Sequence, residues 1–595
     1  MKIAQYFKEK WLGLSVSARR YPVSTFFLVV IAVLIGIEIH GTTVQLGPYI
    51  NTGVVLAIAS AAAQHACERF FANRGLQMRL GLAGIALIIG GIHFLTILQL
   101  PEYSMEAVSR TGILSVALAV LFIWLPVIQH RYSFEQSLMS NFKNFFQALL
   151  YGGVIMLGVA AIITAIDQLL FNLSYRFYSY SADLIFVLFT PIFFLSLAPF
   201  FPQESLETSD EKETQVQQKI SSPKVLDILL SYIVIPLTMV FTVILLAYVV
   251  LNLRGEFWTD NLLEPMLVSY SATVIFVTLL TMHIENSFTQ LFRKWAPKIL
   301  IPIVLFQLVA SVLTIQQNPM THQRYFVILY GVFAILAGIA LSIARWQRKG
   351  IVAGLLVFFL VLSITPPIDA FTISRNSHIN HLESTLMKYD MIQNDEVVIT
   401  TPVSQEDRQK ITESLFYLER LGRLDQLSWL PEGFQVYYDW YFEKTFGFPL
   451  YEYQEPDTVR MYVFLTQDLE LFTEDYQYLT RVIFSEGNKE GSMFQREFVI
   501  REKQYRLEQT MVNGLQNIEL RDSSGTVILE FKLMELYERL RERTGEKGEI
   551  NLEEATFVVE NTFAKMKIII ESVDVFEVNG NIVVSGPMLL MISIP

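Results

Sequence analysis

The chain has one cysteine, Cys67, among 595 residues. One thiol cannot close a disulfide within the chain, whichever compartment surrounds it. Cys67 stands beside Glu68 and Arg69 with no base in view, so cysteine catalysis has no support. Charge is scarce as well: Asp, Glu, Lys and Arg make up 17% of residues, where about 25% is usual. Familiar catalytic signatures are missing. No Walker A sequence supplies a P-loop, no H-E-x-x-H a zinc site, and no G-x-S-x-G a nucleophile elbow. His378 and His381 share one face of an expected helix, but no further ligand stands at metal-binding spacing. No cofactor or metal site is expected, and the balance leans away from an enzyme.

Apolar residues are abundant. They form 52% of the chain, with mean hydropathy +0.40. A run of about 18 or more uncharged apolar residues crosses the ~30 Å hydrocarbon core of a bilayer. Eleven such runs are read at 22–39, 49–66, 80–98, 111–129, 146–166, 182–201, 225–251, 263–283, 299–315, 325–343 and 351–368. No small-residue cleavage site follows the first, so it reads as a retained helix. The expected fold is a polytopic α-helical membrane domain of about eleven helices, followed by an α+β soluble domain with a mostly antiparallel sheet.

Positive charge alternates along these runs. With the N-terminus inside, the inner segments carry 19 Lys and Arg, including Arg19, Arg20, Arg69, Arg131 and Lys224. The outer loops carry four, Arg110, Arg176, Arg254 and Arg324. Lys and Arg in short loops favour the cytoplasmic side. The expectation is a cytoplasmic N-terminal segment at 1–21, a transmembrane domain at 22–368 with a polar cytoplasmic loop at 202–224, and an extracytoplasmic domain at 369–595. Residues 365–595 carry 22 Lys and Arg against 39 Asp and Glu, so this part is acidic. It is repelled by nucleic acid, which is therefore not an expected partner.

Local patterns divide the last part. Helical spacing marks 375–390, and a second helix at 404–422 opens on Ser404 with Asp407 three residues on, close to a capping box. Alternating runs at Val459–Leu465, Glu497–Arg501, Arg506–Val512 and Thr526–Lys532 read as strands, with turns at Glu486–Gly491, Asn513–Gly514 and Asp522–Gly525. Residues 533–543 read as a helix, and Thr556–Pro595 as strands around an Asn579–Gly580 turn.

An ionisable group in the bilayer is costly and marks a functional candidate. Glu38, Asp167, Asp183 and Glu264 fall at outer ends of spans, Arg176, Arg254 and Arg324 on outer loops, and His93 deeper, in the outer third of the third span. Such a set suits a shallow polar site for a headgroup or phosphate, because Arg makes bidentate anion contacts. The competing reading is interfacial snorkelling, and for His93 a hydrogen bond to a neighbouring helix.

The stretch Asn318–Phe326, NPMTHQRYF, resembles a motif of the DUF4153 family of bacterial integral membrane proteins of unknown function. Thr321, Arg324 and Tyr325 match it, while Pro319–Met320 replaces the usual Tyr-Gly. Ala161–Phe171 with Asp167, Pro191–Pro199, Tyr232–Tyr248 and Pro367–Leu382 resemble further family segments, as do Leu424–Phe434 and Thr445–Phe448. The resemblance implies a bacterial plasma or inner membrane location and no particular activity. The candidate ligand-binding residues are Arg324, Thr321, Tyr325, Asp167, His93 and Glu38. Three functions stay open. The first is a non-enzymatic envelope component presenting an extracytoplasmic binding domain, with the bilayer and an envelope protein as partners. The second is a transporter or lipid-handling protein with a lipid headgroup at an outer-leaflet polar site. The third is an envelope glycosyltransferase with a lipid-linked donor. The short first outer loop, residues 40–48, has no Asp or Glu, which argues against the third.

Overall fold

The structure is a computed structural model. It describes residues 15–595 apart from 72–74, 102–103, 202–222, 253–262, 316–317, 344–349, 401, 432, 438, 451–460, 466–474, 485–493, 513–514, 545–546 and 579–580. Nearly all of the polar loop at 202–224, Arg254, and the expected turns at Glu486–Gly491, Asn513–Gly514 and Asn579–Gly580 lie outside the described residues, as does the side chain of Glu264. The chain divides into two compact units, Met1–Leu450 and Tyr451–Pro595.

The first unit is built from helices. In chain order they are α1 Pro22–His40, α2 Gly47–Phe70, α3 Gly75–Ile97, α4 Met105–Trp124, α5 Phe134–Leu169, α6 Arg176–Leu197, α7 Lys224–Leu251, α8 Leu263–Leu280, α9 Ser287–Ile315, α10 His322–Ser342 and α11 Ile351–Ile364. A helix therefore stands at each of the eleven expected runs. Among the described residues, nine are long and apolar enough to cross a membrane, while Pro265–Leu280 and Ile351–Ile364 are shorter apolar helices. The chain is a multi-pass membrane protein.

The helices carry large apolar side chains outward, among them Leu95, Leu157, Val243 and Phe358. Lipid tails rather than water suit such a surface. Their interior holds small and polar residues. Many hydroxyls there bond back to carbonyls four residues earlier, as in Ser60 to Leu56, Thr242 to Thr238 and Thr278 to Val274, which satisfies them without water. α5 has 36 residues and, at about 1.5 Å each, outreaches the hydrocarbon core. It opens on a full capping box, Ser133 with Gln136, and its first turns bury Ser137, Asn141 and Asn144. Gly350 (φ +63°) and Gly354 let α11 lie directly on Trp124 of α4. A Cβ at Gly350 would come within 2.5 Å of the indole nitrogen.

After α11 come the cis Pro366–Pro367 bond and three further helices, α12 Ala370–Lys388, α13 Gln405–Arg420 and α14 Asp439–Phe446. A short hairpin, β1 Ile392–Gln393 with β2 Glu396–Val397, separates the first two. They share a core of Leu382, Leu386, Ile411, Leu415, Trp429 and Phe442. Ser404 caps α13 as its spacing suggested, accepting from the Asp407 amide.

The second unit carries two sheets over one core. One is a seven-stranded sheet in the order β10 (Thr556–Glu560), β11 (Lys565–Ile570), β13 (Asn581–Ser593), β12 (Ser572–Val578), β3 (Met461–Leu465), β9 (Lys547–Ile550), with β4 (Tyr478–Phe484) also on β13. Only β3 and β9 run parallel among these pairs. The other is an antiparallel meander, β5 (Gln495–Ile500), β6 (Lys503–Val512), β7 (Leu515–Asp522) and β8 (Val527–Lys532). α15, Leu533–Thr544, follows it. Leu507, Ile518, Leu536, Ile568 and Leu590 are wholly buried between these elements.

Candidate functional site

A buried polar cluster of the first unit lies where the N-terminal ends of α4, α10 and α12 meet the C-terminal end of α13. Each element arrives by ordinary helix chemistry. Ser104 caps α4 and Thr321 caps α10, each through its side-chain oxygen. Asp369 caps α12, its Oδ1 accepting from the Phe371 and Thr372 amides at 3.0 and 3.1 Å. A carboxylate there is favoured by the helix dipole as well as by the orphan amides.

Arg110, 4% exposed, sits at the centre. Its Nε donates to Glu106 Oε1 at 3.0 Å, one Nη to the Ile364 carbonyl at 2.7 Å, and the other to Asp369 Oδ1 at 2.7 Å. Its guanidinium also faces the Phe371 ring at 5.6 Å. Arg423, at the end of α13, reaches Glu106 Oε2 at 3.5 Å. A buried charge is tolerated when paired and hydrogen-bonded, and Arg110 is both. Asp369 is fully buried, and its Oδ2 has no hydrogen-bond partner among the described residues.

An aromatic stack continues the cluster. His322 lies on Phe371, with ring centroids 5.2 Å apart. Tyr417 Oη accepts from the His322 backbone amide at 2.9 Å and stands 2.7 Å from His322 Nδ1. His378 stacks on Tyr417 at 3.9 Å. Both its ring nitrogens are buried and have no hydrogen-bond partner among the described residues. Burial pushes the His378 imidazole down to about 3, with His381 and His322 adding repulsion, so it is neutral. Burial likewise pushes the Tyr417 hydroxyl up. The arrangement joins the ends of membrane helices to α12 and α13 through charge and stacking.

Three of the sequence candidates belong to this junction. Thr321 is the α10 cap. Arg324 is buried in the first turn of α10, rather than on a loop. Tyr325 donates its hydroxyl to the Ile368 carbonyl, next to Asp369. His93 is adjacent to it: its Nε2 bonds Thr111, the residue after Arg110, at 3.1 Å. That is a hydrogen bond to a neighbouring helix, the competing reading for His93. Asp167 is not among them. Its Oδ1 accepts the Leu173 amide and closes the turn after its own helix. Glu38 is half-buried near the end of α1.

Sequence reasoning passed over Glu106, Asp369, Tyr417 and Arg423, and set His378 aside. Two signals were available. Glu106 and Arg110 have the i, i+4 spacing of a helical ion pair, and Asp369 follows two prolines just ahead of a helix, the position of an N-cap.

A family model described as a domain of unknown function (DUF4153) matches residues 23–397, well over half of the chain. No curated protein and no solved structure matches it.

Proposed function

This chain belongs to the DUF4153 family, and on that premise we propose that it is a multi-pass protein of the bacterial cell membrane that anchors an extracytoplasmic binding unit in the envelope without catalysing a reaction. One observation carries the reading: Arg110 is buried between Glu106 of its own helix and Asp369 at the head of α12. Such a junction holds helices α12–α14 on the membrane helices as a platform. The acidic, mostly antiparallel unit at 451–595 follows these helices in the chain. Charge alternation along the spans supports a cytoplasmic N-terminus and an outer C-terminus. The partner is an envelope protein or polymer that tolerates an acidic surface.

Two experiments test this. After Cys67→Ala, cysteines introduced singly at Ser209 and Ser523 are exposed to an impermeant thiol reagent on intact cells. Labelling at Ser523 and not at Ser209 agrees with the orientation; the reverse sinks it. Deleting 451–595 then abolishes cross-linking to envelope partners while the membrane part still accumulates. Unchanged cross-linking would move the binding function into the first unit.

A second reading, handling of a lipid headgroup at this junction, is favoured by the buried Asp369 Oδ2 and His378 nitrogens, which have no partner among the described residues. Lipid analysis of the purified protein separates the two. A specific lipid lost in Arg324→Ala favours this second reading; bulk phospholipid equal in both proteins favours the first.

A further inference from the structure

We propose that Asp183 is a binding site for a small monovalent cation, a proton or an alkali-metal ion, inside the helix bundle. α6 begins at Arg176, so seven residues, about two turns, separate Asp183 from the helix start. The side chain is 6% exposed and faces protein rather than lipid. Its Oδ1 is buried with no hydrogen-bond partner among the described residues. A carboxylate with one oxygen buried and unpaired is costly to leave bare; a bound cation lowers that cost.

The backbone supplies a second, independent sign. Asp183 opens a π-wound segment, Asp183–Phe189, within an otherwise α-helical span. π-turns inside helices are frequent at functional sites and are retained at a cost in helix regularity. Here the strain is accommodated by Thr190, whose hydroxyl donates to the Ile185 carbonyl at 2.8 Å, five residues back. Gly152 of α5 makes room for it: a Cβ there would come within 2.3 Å of Thr190 Oγ1. α1 and α5 pack on this segment. The ionisable groups they carry are Glu38 and His40 on α1, and Glu135, Lys143, Tyr151 and Asp167 on α5; Arg176, Tyr178 and Tyr180 stand on α6 itself. Glu38, His40, Asp167 and Arg176 belong to the ends of their helices, and Glu135 and Lys143 to the opposite end of α5. The inference does not depend on the anchoring role, and a reversible cation site within the spans favours transport.

The test uses the full-length protein in liposomes and dicyclohexylcarbodiimide, which reacts with protonated carboxyl groups. The acid adds across one C=N bond: its proton passes to nitrogen, its oxygen bonds the central carbon, and acyl migration to nitrogen leaves a stable N-acylurea. Nothing departs. Peptide mass spectrometry reads modification at Asp183 over a pH series, in choline chloride and in sodium or potassium chloride. Modification that sodium or potassium suppresses at fixed pH identifies an alkali ion. Modification that only rising pH suppresses identifies a proton. Either supports the site. An infrared difference spectrum between acid and alkaline samples reads the same carboxyl without a reagent, with Asp183→Asn as the blank and Asp183→Glu as the variant expected to keep the band. No modification in any medium, together with no band that Asp183→Asn removes, overturns the proposal, because the carboxylate is then permanently held by the protein.

Discussion

Arg110 and Asp369 are 259 residues apart in the chain, yet Arg110 Nη2 and Asp369 Oδ1 meet at 2.7 Å with both side chains almost completely buried. The pair pins the end of α4 to the head of α12, and Glu106 and Arg423 extend it to α13.

Removing one partner should cost more than the pair is worth. Arg110→Met leaves Glu106 and Asp369 buried beside each other with no cation between them. Breaking a buried pair in this way costs about 3–5 kcal/mol. Thermal unfolding in detergent should show the loss. Arg110→Met combined with Asp369→Asn should recover part of it, and a double variant as unstable as the single one would show that the two residues do not act together.

His378 predicts a pH dependence. Its folded-state value of about 3 lies below the ordinary imidazole value of about 6.5. The unfolded chain therefore binds more protons between those limits, and stability falls as pH drops from about 6.5 toward about 3. His378→Gln should flatten this limb in a pH series of unfolding midpoints. A variant that keeps the wild-type slope would place its origin elsewhere.

Asp407 acts at lower pH. The Lys388 ammonium at 2.6 Å, then the Tyr389 and Ser404 hydroxyls, hold its carboxyl well below the usual range. Its contribution is complete above the unfolded value of about 3.9 and is lost as pH falls below that. Asp407→Asn should lower stability at neutral pH by about 1–2 kcal/mol, a cap-sized effect, and soften the acid limb below about pH 4. Limited proteolysis between α12 and α13 reads it locally.

Gly586 makes a prediction for the second unit. Its φ is +142°, and a Cβ there would lie 2.3 Å from the Ser572 carbonyl. The position is where β13 passes from pairing with β12 to pairing with β11. Gly586→Ala should cost on the order of 1–3 kcal/mol from backbone strain alone, seen as earlier unfolding of a 451–595 signal with the helical signal unchanged. An unaltered midpoint would mean that the strands shift to make room.

The helices were legible because apolar runs of membrane length are local, and a helix stands at each of the eleven runs, from 22–39 to 351–368. Caps were legible for the same reason: Ser404 and Asp407 lie three residues apart, within one turn. Strands β3, β5, β6 and β8 stand where alternation placed them, as does α15. Charge alternation gives an expected orientation, because Lys and Arg act loop by loop, and the thiol labelling at Ser209 and Ser523 tests it. The long-range order was not legible. Nothing in Glu106, Asp369, Tyr417 and Arg423 says that they share one site, because residues far apart in the chain are brought together by packing, not by spacing. Likewise β13 pairs with β4, β11 and β12, a choice made by side chains meeting across a common core. Hydropathy placed Asp183 at the start of an apolar run, and only the packed neighbouring helices show that it is buried.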